Sequence, residues 1–472
     1  MTSPAERAAR RWAVAVAALA VVAALRCWLT RASVPDDADA LGFVLGMSRG
    51  YDLALLQPHF PGYPVYVALG AALVRAGVPA LDAATALSAI ASGIASAALA
   101  LCARRLAGPA AGLGAAALHA AAFLPWLVGG AALSDGLGTA LAAWSFAALA
   151  LERPRPVVAA LLAGVTLGVR ASYWPLGAVA LALAWRARGE LRGRVAAAFA
   201  GGVSAWAVPF VALVGAGPLV ALGKTHLAGH FGEWGGSIAT RPELGERLVA
   251  FARGAAFDGL APSKYGLALI AALLAGTGLL DWHRRRSMPV RPFAVLAAAL
   301  APYALWALLA QNVLAQPRHL LPLAEGLCVA LGAWLAPHRL ALLAVLGVMA
   351  VVAAPLAWQR HVVPPAPAQA AAWLVANTPP DDALLFAGRS GRYLHEAAPA
   401  LDVRERAWLS EAAADLSRLD RVPAAVYVTS EVDLRTGGGG WRVEPGPVFC
   451  RDRRLDRALP CLGLSRLAWS SP

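Results

Sequence analysis

No feature of this sequence limits its fold more than the gathering of uncharged apolar residues into long blocks divided by short basic clusters. The blocks run at approximately 12–29, 62–77, 81–103, 107–129, 133–151, 156–169, 172–187, 195–216, 264–281, 290–310, 319–336 and 339–357. Between them stand Arg10/Arg11, Arg104/Arg105, Arg153/Arg155, Arg186 to Arg194, Arg284 to Arg286, and Arg339. Water does not solvate so many uncharged blocks, whereas a bilayer does, at roughly 20 residues per helical span. A soluble Ala-rich helical protein would need amphipathic faces, and these blocks are apolar all round. Of 472 residues, 59% are apolar and 15% charged, against about 25% charged in soluble domains. The chain reads as a polytopic integral membrane protein of the plasma or inner membrane.

The net charge of +13 does not point to nucleic acid. The basic residues cap apolar blocks and form no one-sided or aromatic-interleaved patch, so they read as topology-setting charge. The basic stretch Met1 to Arg11 precedes an apolar run with no small-residue cleavage site after it, which predicts a retained first helix with a cytoplasmic N-terminus. Placing every basic cluster on the cytoplasmic side puts 30–61, 217–263 and the tail from about 360 outside, together with Asp135 and the Gln311–Arg318 turn. The stretch 62–103 then makes an odd number of crossings although it reads as two blocks. The pair 156–187 dips out and returns, leaving Arg170 near the far side.

From about His361 the character changes to a Pro-rich lead-in, dispersed charge and no long apolar block. Ala370 to Ala376 reads as a helix, Pro379 to Asp382 as a turn, Ala383 to Ala387 and Val422 to Thr429 as strands, and Gly437 to Gly440 as a loop. The expected fold is an all-α polytopic membrane domain over 1–360, with about 11–13 transmembrane or re-entrant helices. A small α/β extracytoplasmic domain follows over 361–472. The tail has neither a P-loop nor a dinucleotide fingerprint. Cys27, Cys102 and Cys328 read as packing residues, while Cys450 and Cys461 can pair if the tail faces an oxidising compartment.

Two stretches of the first outer loop carry chemistry. Asp36, Asp37 and Asp39 follow directly on the first span, where a carboxylate can act as general base toward a hydroxyl or hold a divalent cation. The same acids also read as a helix cap before Ala40-Leu-Gly-Phe43. In Pro58-His-Phe-Pro-Gly-Tyr-Pro64, three prolines and a glycine fix a stiff, non-helical approach that presents His59 and Tyr63 at a set angle. An interfacial aromatic belt gives the same pattern, so the loop by itself leaves both readings open.

An acidic cluster after the first span, about twenty residues, then His-x-Pro-Gly-Tyr-Pro opening the next helix, resembles the GT-C superfamily of glycosyltransferases. The nearest likeness is to the protein O-mannosyltransferase-like branch, whose motif is His-Pro-Pro-Gly-Tyr-Pro; Phe60 here replaces the first of the paired prolines. Leu167-Gly-Val-Arg170 is similar to the family's Gly-rich helix with a basic residue before a second short helix. Gln316-Pro-Arg318-His-Leu-Leu-Pro322 resembles its Arg-Tyr-Leu-Leu-Pro segment. The resemblance implies a polyprenyl-phosphate-linked sugar donor and inverting transfer on the outer face. Asp36, with Asp37 and Asp39 as competitors, would be the base or acceptor-orienting group. Arg318 would meet the donor phosphate, with Arg170 and His59 behind it, since arginine makes bidentate phosphate contacts. Snorkelling to the interface is the plain alternative for each arginine.

Tyr63 and Asp135 are expected in the pocket wall, Asp135 also reading as a helix N-terminal residue. His226, His230 and Glu233 share one helix face by spacing, without a recognised zinc signature, so a divalent cation is left open as the cofactor. The acceptor, whether protein, lipid or glycan, is not encoded in any motif. A transporter or flippase for a lipid-linked substrate, and a non-catalytic scaffold, are the competing classes. Halves with internal repeats, which transporters tend to show, are not evident.

Overall fold

The computed structural model describes residues 3–284, 290–378, 382–419, 421, 423–435 and 441–469. Arg285 and Arg286, Pro379 to Asp381 of the expected turn, Val422 of the expected strand and the Gly437–Gly440 loop lie outside the described residues. The chain divides into two compact units, one of residues 1–32 with 42–359 and the other of 33–41 with 360–472. The first unit is all-helical and the second carries the sheet, so a short piece of the first loop belongs with the tail.

Among the described residues, six helices are long and apolar enough to cross a bilayer, or up to seven if one bent pair counts as a span. The protein is a multi-pass integral membrane protein. The first helix, Pro4–Leu29, starts at a capping box in which Ser3 and Glu6 satisfy each other's backbone N–H groups. The helical unit also holds shorter helices, among them the apolar Pro64–Arg75 and Pro156–Val169, and Asp135–Ala150, Trp174–Ala187 and Leu321–Leu335. At about 1.5 Å per residue they reach roughly 18–24 Å, less than the ~30 Å hydrocarbon core.

Prolines decide where several of these helices stop. The apolar block 107–129 is one span by hydropathy, but it is broken into Pro109–Ala121 and Phe123–Gly129, bent by 62°. Continuing the helix would drive the Pro125 ring into the carbonyl of Ala121. Arg26 repairs the break: its guanidinium donates to the carbonyls of His119 and Ala122 and lies over the Trp126 ring. The stretch 217–263, read from the sequence as an outer loop, is largely helical, with Ala216–Gly232 and Leu244–Ala252 as its main elements.

Packing relies on small residues, as expected where lipid removes the hydrophobic drive between helices. The Leu321–Leu335 helix approaches Pro109–Ala121 so closely at Gly332 that a Cβ there would stand 2.6 Å from the backbone nitrogen of Ala115. Only glycine permits that approach.

The second unit holds a five-stranded mixed sheet of β1 (Ala383–Ala387), β2 (Asp402–Glu405), β3 (Ala425–Thr429), β4 (Trp441–Cys450) and β5 (Cys461–Trp469) in the order β2-β1-β3-β5-β4. β1 pairs in parallel with β2 and β3, while β5 is antiparallel to β3 and β4. β1 is buried along its whole length because both faces are covered. Leu385 faces a cluster with Ala370 and Leu374 of the Ala366–Asn377 helix. Leu384 and Phe386 face another with Leu409 and Leu416 of the Leu409–Leu416 helix. Cys450 and Cys461 are joined by a disulfide at the end of the β4–β5 pair, and Cys27, Cys102 and Cys328 are free.

Candidate active site

Within the helical unit, three proline-started helices deliver polar side chains to one buried cluster. Pro175 stops the Pro156–Val169 helix from running on, leaving Arg170 extended at the break. Pro322 likewise opens the Leu321–Leu335 helix after a turn of 3-10 helix carrying Arg318 and His319. Pro64 opens the third, with Tyr63 as its N-cap in the left-handed region at φ 49, ψ 49. That conformation costs a non-glycine residue about 1–2 kcal/mol and is characteristic of functional sites. Gly62 before it has φ 95, and a Cβ there would stand 2.4 Å from the Phe210 ring.

Arg170 is the centre. Its Nη1 lies 3.0 Å from Asp135 Oδ2 and donates to Ser134 Oγ at 3.2 Å. Neither Asp135 oxygen has an aligned hydrogen-bond donor, so charge rather than a directed bond holds the pair. Both are buried, Asp135 at 0% and Arg170 at 5% exposure; removing either alone would strand a charge at about 3–5 kcal/mol. Arg170 Nη2 donates to His319 Nδ1 at 3.1 Å. Since arginine only donates, Nδ1 accepts and the neutral ring carries its proton on Nε2. The Tyr303 hydroxyl donates to the His319 carbonyl at 2.6 Å.

The other predicted residues join this network. The Arg170 guanidinium sits 6.0 Å from the Tyr63 ring centre and 5.5 Å from that of Tyr173. The Tyr63 hydroxyl meets His59 Nε2 at 2.8 Å. Arg318, buried, is near enough to Arg170 for their charges to act on each other. His59, Tyr63, Asp135, Arg170 and Arg318 are thus assembled around one point, whereas Asp36, Asp37 and Asp39 belong to the other unit. Ser134, Tyr173, Tyr303 and His319 were not singled out by the sequence; only the adjacency of His319 to Arg318 could have pointed to it.

Nearby in the helical unit is an apolar cavity of about 250 Å³, lined among others by Leu99, Phe146, Leu176, Leu300 and Val329. Glu325, 3.6 Å from His119, and Arg105 are the charged residues in its lining.

His226 and His230 do share a face of the Ala216–Gly232 helix, but their rings stack on each other, centroids 6.0 Å apart. His226 also stacks on His59 and meets Phe60 and Trp234. His230 Nε2 pairs with the Ala310 carbonyl at 2.8 Å, and Glu233 stands at the C-cap beyond the helix. Among the described residues no three His, Cys, Asp or Glu side chains converge to hold a metal ion.

In the second unit, Asp37, not Asp39, caps the Ala38–Arg49 helix, accepting from the Ala40 N–H at 2.8 Å. Asp36 Oδ1 is paired with Arg451 Nη1 at 2.8 Å. Asp39 lies within electrostatic reach of Arg392.

These elements define a class of fold: a GT-C-like helical membrane unit with a small α/β unit at its C-terminal end. The same fold is found in a crystal structure of ArnT from Cupriavidus metallidurans in the apo state, at a TM-score of 0.55 and 14% identity over 97% of this chain and 98% of that one. The undecaprenyl phosphate-bound form of that ArnT matches at 0.52, with 14% identity and 96% and 98% coverage. An Archaeoglobus fulgidus oligosaccharyltransferase tethered to an acceptor peptide is a looser match, at 0.45 and 14% identity over 88% of this chain and 68% of that one. No family model matches the sequence, and no curated protein does.

Proposed function

We propose that this protein is a GT-C-type membrane glycosyltransferase that moves a sugar from a polyprenyl-phosphate donor to an acceptor outside the cytoplasm, with inversion. The observation that carries the proposal is the buried basic and aromatic cluster around Arg170 and Arg318. Arginines held inside a spanning unit are expensive and mark substrate sites. The charge of Arg170 is matched by Asp135, so Arg170 serves to orient His319. Arg318 and His319, which stand in the same buried cluster, are the groups proposed to meet a phosphate. The apolar cavity suits isoprenoid chain, and undecaprenyl phosphate in the ArnT structure of the same fold supports that choice of lipid.

In the reaction, an acceptor hydroxyl oxygen attacks the anomeric carbon while the bond from that carbon to the phosphate oxygen breaks. The lipid phosphate leaves with the electron pair, and its growing charge is stabilised by fixed cations. The hydroxyl proton passes to a first-loop carboxylate, Asp36 leading and Asp37 and Asp39 competing. His-x-Pro-Gly-Tyr-Pro favours the protein O-mannosyltransferase-like branch. The disulfide-bonded tail and the cytoplasmic placing of basic clusters support an extracytoplasmic site.

The test is transfer from undecaprenyl-phosphate sugars in membranes. Arg318→Lys, which keeps the charge but not the fork, is expected to raise the donor KM about tenfold or more with protein levels unchanged. Asn substituted singly at Asp36, Asp37 and Asp39 is expected to abolish turnover at one position. Full activity in all three variants would remove the base assignment.

A further inference from the structure

The Arg451–Asp36 pair joins residues 415 apart in sequence, and its setting is built rather than incidental. β4 and β5 end at the Cys450–Cys461 disulfide, and the Arg451 N–H donates to the Pro460 carbonyl at 2.8 Å, closing the base of the 451–460 loop. Arg451 is therefore the first residue past a covalent clamp, with its backbone direction fixed. Its side chain is 2% exposed and faces two carboxylates, Asp36 at 2.8 Å and Asp456 at 3.8 Å. Asp456 belongs to the same closed loop and accepts from the Leu459 N–H at 3.0 Å. The first-loop segment is tied a second time by the Tyr393 hydroxyl, which donates to the Pro35 carbonyl at 2.9 Å.

Arg451, Asp37, Asp456 and Tyr393 are the titratable groups facing this point. Burial, with the charges of Asp37 and Asp36 adding to it, pushes the Asp456 carboxyl up to about 6. Well below that pH, Asp456 is largely neutral and the guanidinium is left to Asp36. A helix cap would need none of this.

We propose that Arg451, set by the Cys450–Cys461 clamp, is a positioning residue that orients the Asp36 carboxylate for the acceptor. This rests on the glycosyltransferase reading above, in which a first-loop acid acts. The tail is then a working part of the enzyme and not an appendage, because it fixes the direction of the acid.

The experiment uses the full-length protein in nanodiscs, with Arg451→Ala, Arg451→Lys and the double Cys450→Ser/Cys461→Ser variant. With undecaprenyl-phosphate sugars, Arg451→Ala is expected to lower kcat at least tenfold while the donor KM stays within twofold. The acid limb of its pH–rate profile should move upward, because the cation facing Asp36 and Asp456 is gone. Arg451→Lys should restore part of the rate and move the limb back, and the double Ser variant should fall between. A fall in kcat with an unmoved acid limb, or no fall, overturns the proposal.

Carbodiimide-driven glycinamide labelling of Asp36, read by peptide mass spectrometry, needs no sugar. It should rise severalfold in Arg451→Ala, and unchanged labelling also overturns the proposal. Should wild type transfer no sugar while labelling still rises, the glycosyltransferase reading fails and with it the catalytic purpose, though the hold of Arg451 on Asp36 stands.

Discussion

At the scale of single residues, the buried charges divide into those that serve the fold and those proposed to meet a ligand. Arg26 ties off the carbonyls at the Ala122 break. Arg247 donates to the carbonyls of Gly236, Leu308 and Gln311, replacing hydrogen bonds that water would otherwise make. Arg170 balances Asp135. Arg318, buried in the same cluster, is the arginine proposed to meet the donor phosphate. Asp456 gives a pH signature of its own. Its folded value of about 6 lies above the ~3.9 of an unfolded aspartate. The stability that it contributes is therefore fully present below about pH 4 and lost as pH rises through 6, amounting to at most about 3 kcal/mol. Protease resistance of the tail is expected to fall from pH 4 to pH 7 in wild type, and by visibly less in Asp456→Asn.

Among the elements, prolines and glycines write the architecture of the helical unit. Pro64, Pro175 and Pro322 each start a helix, and each leaves polar residues just upstream, at the break. The close contact at Gly332 is the counterpart in packing. A leucine there must displace the backbone of the Pro109–Ala121 helix, which costs about 1–3 kcal/mol or more. Gly332→Leu is accordingly expected to lower the melting midpoint in detergent by several degrees and to reduce yield, whereas Gly347→Leu, with open space around it, should match wild type. In the tail, β1 and the Ala366–Asn377 helix were readable because their apolar runs are continuous. β2, β4 and β5 were not, since their faces are half exposed and mixed in polarity, and pairing rather than composition makes them strands.

For the whole molecule, the arrangement of basic clusters predicts that the tail faces away from the cytoplasm. An alkaline phosphatase fusion after residue 469 should be active, and a green fluorescent protein fusion at the same point dark; the reverse pattern would invert the topology and move the proposed site to the other face. The sequence by itself determined the membrane class and the separate α/β tail, and it pointed to His59, Tyr63, Asp135, Arg170 and Arg318 as candidates. Hydropathy and proline punctuation are local properties, and each of those residues stands beside such a local signal. Only the tertiary structure decided which of them meet. Asp135 joins Arg170 as its counter-ion, His319 enters through an imidazole nitrogen that no spacing announces, and Asp36 goes to an arginine near the far end of the chain. Contacts between residues hundreds of positions apart depend on how the helices and strands pack, and a pattern read along the chain does not contain that information.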